Sequence, residues 1–155
     1  MDQVKAVLGR TRADPYRLKL ELTESSLVTD TEATVEKMHS LKTIGISFSL
    51  DDFGTGFSSL SYLRRLPLDQ LKIDRSFISD VDNDANAAVI TRSVIALGQI
   101  LSLRVIAEGV ESKCQRKFLA LHDCSVYQGF LFSLPLAINE IQAYIARCAR
   151  QECLG

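Results

Sequence analysis

The sequence predicts an α/β fold in which parallel strands alternate with helices, as an open sheet or as a barrel. Two observations lead to this prediction. Short segments with alternating apolar residues precede longer segments with helical periodicity roughly every 20 to 35 residues, which gives about five strand and helix units. Four successive predicted strands also end in an acidic residue, as expected where the carboxyl ends of parallel strands surround a ligand.

Local signals assign each element in the first half of the chain. The predicted elements are a helix around Val7, a strand at residues 18–22, a helix around Met38 and a strand at residues 46–50. Asp14-Pro15 ends the first helix, and the second helix ends near Gly45. The second strand leads into Asp51 and Asp52, so two carboxylates are expected where the strand gives way to a tight turn.

The second half of the chain continues the alternation. Its predicted elements are helices at residues 58–65, at 85–101, around Phe118 and around Ile141, with strands at 71–74, 104–108 and 126–129. Pro67 ends the first of these helices, and Ser112 is expected to cap the helix that contains Phe118. Helix 85–101 is expected to bury one apolar face, formed by Val89, Ile90, Val94, Leu97 and Leu101.

The composition is that of a soluble globular protein. A length of 155 residues predicts a single domain, and a formal net charge of -1 gives no field that would attract DNA, RNA or an anionic membrane. The four cysteines lack the spacing of a zinc or redox site, which favours reduced thiols. Because the sequence shows neither a membrane-spanning apolar run nor a signal peptide, we expect a cytoplasmic location.

The acidic strand ends are the candidate functional site. The predicted strands end at Glu21, Asp51, Asp52, Asp74, Glu108 and Gln128. A single carboxylate at a strand end is more often a helix cap or a solvated residue, but several at one rim would repel one another unless a cation neutralised them. Ligands that are all oxygen favour Mg²⁺ or Mn²⁺, and two adjacent aspartates suit a pair of ions for displacement at phosphorus.

Lys72 is a basic residue in a strand that the pattern predicts to be buried. Its ammonium would point toward the acidic rim, where it can hold a nucleophile or offset the charge of a phosphoryl group. A salt bridge with one neighbouring carboxylate is an equally good interpretation of the same residue.

Five segments resemble the successive motifs of the EAL family of cyclic di-GMP phosphodiesterases, in the family's order and at its spacing. These segments are Glu21-Leu22-Thr23-Glu24-Ser25, Asp51-Asp52-Phe53-Gly54-Thr55-Gly56-Phe57-Ser58-Ser59-Leu60, Leu71-Lys72-Ile73-Asp74-Arg75-Ser76-Phe77, Val105-Ile106-Ala107-Glu108-Gly109-Val110-Glu111 and Gln128-Gly129-Phe130-Leu131-Phe132. The motifs cover nearly the whole chain, so the resemblance is specific.

The resemblance implies a TIM-like barrel of the EAL type that hydrolyses cyclic di-GMP to the linear dinucleotide pGpG with Mg²⁺ or Mn²⁺. By motif, Glu21 and Asp51 would bind a first metal ion, and Asp51 and Asp52 a second. Lys72 would contact the attacking water, and Glu108 would act at the metal centre or on that water.

The resemblance also implies supporting roles for four other residues. Gln128 would complete the pocket, and Asp74 would orient Lys72 or a nearby group. Glu24 and Glu111 resemble the carboxylates that fix the loop after the paired aspartates, a loop that the family also uses for dimer contacts and regulation.

The chain departs from the family pattern because it contains no Glu-Ala-Leu tripeptide. It aligns with the carboxyl-terminal two-thirds of the family barrel, about 90 to 100 residues short of the roughly 250 that a complete barrel needs. Leu134 also replaces a basic residue that is common before Pro135. We therefore expect a truncated EAL domain over residues 1–155, completed by self-association as a homodimer or an oligomer with exchanged elements.

Two functional interpretations follow from this departure. The chain is either part of a cyclic di-GMP phosphodiesterase that is weak or inactive alone, or a non-catalytic EAL module that binds cyclic di-GMP or a protein. A third interpretation, in which Asp52-Phe53-Gly54 is the metal-binding triplet of a protein kinase, is disfavoured because the other kinase motifs are missing.

Overall fold

The computed structural model describes residues 2–23, 31–54 and 60–152. In this part of the chain, four parallel strands form one sheet in the sequential order β1-β2-β3-β4. The strands are β1 (Lys19–Thr23), β2 (Ser47–Phe53), β3 (Gln70–Ile73) and β4 (Arg104–Ala107). Sequential parallel strands with helical crossovers are the arrangement of a (β/α) barrel wall, as the sequence predicts.

Seven α-helices connect or flank the strands of the described residues, and a 3-10 helix (Pro15–Arg17) precedes β1. The α-helices are α1 (Asp2–Thr11), α2 (Thr31–Lys42), α3 (Leu60–Leu63), α4 (Arg75–Ser79), α5 (Ala85–Ile100), α6 (Lys113–Leu121) and α7 (Ile138–Glu152). Ser112 caps α6 as predicted, since its side chain accepts a hydrogen bond from the backbone N–H of Gln115, and the Gln115 side chain accepts one from the backbone N–H of Ser112. None of these helices combines the length and the apolar content that crossing a membrane requires.

The two faces of the sheet differ in polarity because successive side chains of a strand point to opposite sides. One face packs against the helices and forms the core, and its strand residues include Phe48, Leu50, Leu71, Ile73 and Ala107. The other face carries polar side chains, which include Lys19, Glu21, Ser49, Gln70 and Lys72. Glu21 and Lys72, which the sequence singles out for chemistry, therefore share the face that is turned away from the helices.

The buried face of α5 differs from the predicted one. Val89 and Ile90, which were expected to be buried, are exposed. The buried residues of this helix are Ala87, Thr91, Val94, Ile95 and Gly98. A Cβ atom at Gly98 would lie 2.2 Å from Cγ2 of Val105, so the helix approaches the sheet through its small residues. Val94 is buried as predicted, and Leu97 and Leu101 are partly buried against the core, so hydrophobicity located part of the buried face but missed its small residues.

The predicted fifth strand at residues 126–129 is reduced to one parallel bridge between Ala107 and Tyr127. The backbone N–H of Ala107 donates to Val126 O and the N–H of Gln128 donates to Ala107 O, at 3.1 and 2.9 Å. Past this bridge the backbone contact passes to Val110, since Leu131 N–H donates to Val110 O at 3.0 Å, and Gly129 lies so close to Val110 that a Cβ atom would be 2.2 Å from Val110 O. The segment thus takes the position of a fifth strand without extending as one.

Candidate active site

Lys72 occupies the centre of the acidic rim. Its Nζ lies 2.7 Å from Glu108 Oε1, 3.0 Å from Asp51 Oδ1 and 3.1 Å from Glu21 Oε2. Side chains from β1, from β2 and from the residue after β4 therefore converge on one ammonium that is carried by β3. Both interpretations of Lys72 are thus met in part: the ammonium lies at the acidic rim, and it forms salt bridges with three carboxylates rather than with one.

The environment of Lys72 keeps this side chain charged. Only 9% of the side chain is exposed. Burial disfavours the ammonium, but hydrogen bonds with Glu108, Asp51 and Glu21 outweigh it and raise the pKa of Lys72 above its ordinary range. The ammonium form of Lys72 is thus favoured among the carboxylates at neutral pH.

A β-bulge brings both adjacent aspartates to the same site. In a regular strand, Asp51 and Asp52 would point to opposite faces. The register between β2 and β3 shifts between Leu50 and Phe53, and Asp52 adopts a positive φ of 55°. Its backbone N–H donates to Asp51 Oδ1 at 3.0 Å. The strand therefore continues to Phe53 instead of ending at residue 50 as predicted, and the extra residue turns the second carboxylate toward the first.

Asp51, Asp52 and Glu108 form a group of oxygen ligands that suits a divalent cation. Among the described residues, one carboxylate oxygen from each of these three lies within 4.8 Å of the others. Partial burial, followed by the charges of Asp51 and Asp74, raises the pKa of Asp52, whereas Lys72 acts in the opposite direction. Crowded carboxylates of this kind, without histidine or cysteine, fit Mg²⁺ or Mn²⁺ better than Zn²⁺.

Glu21 and Asp74 lie beside this group. Glu21 contacts Lys72, and its side chain is 48% exposed. Asp74 caps α4, because its carboxylate accepts from the backbone N–H of Ser76 at 2.9 Å. Hydrogen bonds from Ser76 and Arg75 outweigh the effect of burial and lower the pKa of Asp74. Asp74 therefore has a structural role close to the site, as the cap of α4.

Gln128 lines a cavity of about 480 Å³ that adjoins Glu108. The other lining residues include Arg75, Gly109, Glu111, Gly129, Phe130, Ser133, Leu134 and Pro135. The backbone of Gln128 is fixed on both sides, since its N–H donates to Ala107 O and its carbonyl accepts from Val110 N–H. The cavity adjoins the acidic group because Glu108 belongs to both.

Glu111 forms an ion pair with Arg75, with 3.1 Å between Oε1 and Nη2. Neither Arg75 nor Gly109 was singled out from the sequence, although both lie within the resembling motifs. Glu24 falls outside the described residues, as does the loop at residues 55–59 that Glu24 and Glu111 were expected to fix.

The geometry supports chemistry on a phosphate ester. Carboxylates that can bind divalent ions, a fixed ammonium and an adjoining cavity lie at one rim of a parallel sheet, where α/β proteins bind ligands. The ammonium and the bound cations would together neutralise the charge of a phosphoryl group.

Known proteins are similar to this chain in sequence. The family model described as EAL domain matches residues 1–135. The cyclic di-GMP phosphodiesterase NbdA of Pseudomonas aeruginosa is 43% identical over 145 residues, which are 94% of this chain and 18% of NbdA. The bifunctional diguanylate cyclase/cyclic di-GMP phosphodiesterase MucR of the same organism is 42% identical over 146 residues, 94% of this chain and 21% of MucR. The chain thus spans about a fifth of the length of these relatives.

Solved structures share its fold. The structure of the MucR phosphodiesterase in complex with c-di-GMP matches with a TM-score of 0.86 at 42% identity, over 90% of this chain and 57% of that chain. BlrP1 of Klebsiella pneumoniae, solved as a manganese and cyclic di-GMP complex, matches with a TM-score of 0.78 at 30% identity, over 86% of this chain and 34% of that chain. These similarities confirm the predicted α/β fold of the barrel type.

Proposed function

The chain belongs to the EAL domain family, and from this membership we propose that it carries the metal-binding and catalytic side chains of a cyclic di-GMP phosphodiesterase site. The observation that carries the proposal is the contact of Lys72 with Glu21, Asp51 and Glu108 at one rim of the sheet. The reaction is the hydrolysis of cyclic di-GMP to the linear dinucleotide pGpG.

Asp51, Asp52 and Glu108 would hold the divalent cations, and Glu21 would join them from β1. The oxygen-only donor set supports Mg²⁺ or Mn²⁺, and the manganese complex of the similar protein BlrP1 agrees with this choice. Divalent ions at such a site lower the pKa of a bound water and neutralise phosphoryl oxygens. The carboxylates orient the ions, and the bulge at Asp52 lets two ligands come from adjacent positions of one strand.

Lys72 and Glu108 would act on the reacting atoms. The buried ammonium of Lys72 donates to the attacking water or to a phosphoryl oxygen, where it offsets negative charge as the new P–O bond forms. Glu108 would act at the metal centre as a ligand or would accept the proton of the attacking water. Because pGpG ends in a 5′-phosphate, the bond that breaks is the one between phosphorus and the 3′-oxygen, which regains a proton from solvent.

Gln128 would complete the substrate pocket. It lines the cavity next to Glu108, and the aromatic ring of Phe130 lies in the same cavity wall. An aromatic side chain beside a polar amide suits a guanine base, which stacks on one and hydrogen-bonds to the other.

We propose that the barrel wall is completed by further protein. Among the described residues, β1 pairs only with β2, so one edge of the strand is open, and the match to the MucR structure covers 57% of that chain. A second copy of the chain, as a homodimer or by exchange of elements, would satisfy this edge.

The three cysteines that the structure describes are unpaired, which supports a cytoplasmic location.

The experiment is a hydrolysis assay with cyclic di-GMP in Mn²⁺ buffer, in which pGpG is separated by chromatography. We expect slow release of pGpG that is lost in Asp51→Ala and kept in Asp82→Ala, which removes an exposed carboxylate from the turn between α4 and α5. Binding of cyclic di-GMP without hydrolysis would instead favour a non-catalytic EAL module. If the chain neither binds nor hydrolyses cyclic di-GMP, the proposed function is wrong.

A further inference from the structure

Arg75 lies between two parts of the site without belonging to the acidic group. It is the first residue of α4, directly after the capping residue Asp74. The cap fixes the backbone of Arg75, and the side chain extends from the end of β3 toward the segment that follows β4. Its side chain is 62% exposed, and its guanidinium pairs with Glu111.

The aliphatic part of Arg75 packs directly on Gly109. A Cβ atom at Gly109 would lie 2.3 Å from Cγ of Arg75, 2.9 Å from its Cβ and 3.0 Å from its Cδ. Gly109 also has a positive φ of 69°, a conformation that other residues rarely adopt. Glycine at position 109 therefore leaves room for the aliphatic part, or stem, of the Arg75 side chain, which any larger residue at this position would contact too closely.

Gly109 follows Glu108, whose carboxylate is 2.7 Å from the ammonium of Lys72. The backbone N–H of Glu108 donates to Ile73 O at 3.2 Å, and that of Val110 donates to Gln128 O at 3.0 Å. Backbone hydrogen bonds thus hold the segment 108–110 at both sides, and the Arg75 stem covers its middle. The ion pair with Glu111 holds the stem in place from the far end.

We infer that Arg75 is a positioning residue, which acts through Gly109 to hold the carboxylate of Glu108 at the acidic group and against Lys72. This inference rests on the proposed metal site, because it assigns Glu108 as a ligand that must be pre-oriented. Residues that orient a metal ligand affect the metal affinity without touching the ion. Arg75 acts on Glu108 by packing on Gly109. The ion pair between its guanidinium and Glu111 anchors the Arg75 side chain in this position.

The test is a series of substitutions in the full chain with Mn²⁺ affinity measured by electron paramagnetic resonance. Arg75→Ala removes the stem and the charge, and we expect the Kd for Mn²⁺ to rise about tenfold. Arg75→Met keeps the stem and loses an exposed ion pair, so we expect the Kd for Mn²⁺ to rise roughly threefold. Arg75→Lys keeps both and should restore an affinity close to that of the wild type. Arg65→Met is the matched control, since Arg65 forms an exposed ion pair with Glu32 at 3.4 Å.

A second readout uses the metal-free protein. Amide hydrogen exchange at Glu108 and Val110, followed by NMR, should accelerate in Arg75→Ala and stay unchanged in Arg65→Met. If the wild-type chain binds no Mn²⁺, the proposed metal site fails, and the exchange rates alone decide the role of Arg75. If Arg75→Ala matches Arg65→Met in exchange and, where Mn²⁺ binds, in affinity, the inference is wrong. Should Arg75→Ala not fold, Arg75→Met is compared with Arg65→Met, and equal exchange rates and equal Mn²⁺ affinity in these two would overturn the anchoring role of the Arg75 guanidinium and with it the inference.

Discussion

The ammonium of Lys72 lies 2.7 Å from Oε1 of Glu108, across the boundary between β3 and the end of β4. This contact joins the positive charge of the site to a carboxylate that is also one of the three grouped oxygen ligands. Lys72 therefore neutralises part of the acidic group in the absence of a cation. The same geometry places the ammonium beside a phosphoryl group once cations are bound.

Replacement of Lys72 should destabilise the metal-free protein. Lys72→Met leaves crowded carboxylates without their buried partner, and we expect a loss of about 2 kcal/mol in the free energy of unfolding. The measurement is urea unfolding in EDTA, repeated with Mn²⁺. Because Mn²⁺ would replace the missing positive charge, it should stabilise Lys72→Met more than the wild type. Equal stability of the two proteins in EDTA would show that the contacts contribute nothing.

The bulge at Asp52 predicts a specific pattern of substitutions. Asp52→Asn and Asp52→Ala both remove the charge, but asparagine tolerates a positive φ much better than alanine. We expect the free energy of unfolding of Asp52→Ala to be about 1 kcal/mol lower than that of Asp52→Asn. Both variants should lose Mn²⁺ affinity. Urea unfolding in EDTA measures the difference. Indistinguishable stabilities would contradict the left-handed conformation of this residue.

Asp74 makes the stability of α4 depend on pH. Its pKa is lowered in the folded protein, so its contribution is present at pH values above the ordinary pKa and is lost as the pH falls through the lowered value. Asp74→Ala should cost about 1 kcal/mol at neutral pH, as for other helix caps. We expect the difference from the wild type to shrink below about pH 4 in acid unfolding series. A difference that stays constant with pH would argue against the cap.

The thiols should differ in reactivity. Cys124 is buried, and burial raises the pKa of its thiol, whereas Cys114 is exposed. Because the thiolate is the reactive form, Cys124 should resist alkylation at pH 8 in the folded protein while Cys114 is modified. Mass spectrometry after iodoacetamide treatment, with and without urea, distinguishes the two sites. Rapid modification of Cys124 without urea would contradict its burial.

The sequence was sufficient for the parts of the fold that depend on local signals. Strands that carry or lead into Glu21, Asp51 and Glu108 follow from alternation and from the motifs, although β1 and β2 extend past their predicted ends, and the cap at Ser112 follows from its residue type. The expectation that Lys72 is buried at the acidic rim agrees with the structure as well. These features are encoded within a few residues of where they appear.

Features that depend on distant contacts were not predictable. The bulge at Asp52 places a non-glycine residue at positive φ, which no local sequence pattern predicts. The buried face of α5 is chosen by how closely Gly98 approaches Val105, and hydropathy does not report that distance. The packing of Arg75 on Gly109 joins residues from different strand ends, so it becomes visible only in the folded chain.

The central claim is that the carboxylates around Lys72 form a metal-dependent site for cyclic di-GMP. Isothermal titration calorimetry of the chain with cyclic di-GMP, in Mn²⁺ and in EDTA, tests this claim most directly. We predict saturable binding in Mn²⁺ that disappears in EDTA and in Asp51→Ala. Binding that is equally strong in EDTA and in Asp51→Ala, or no binding to the folded wild-type chain in Mn²⁺, would contradict the claim.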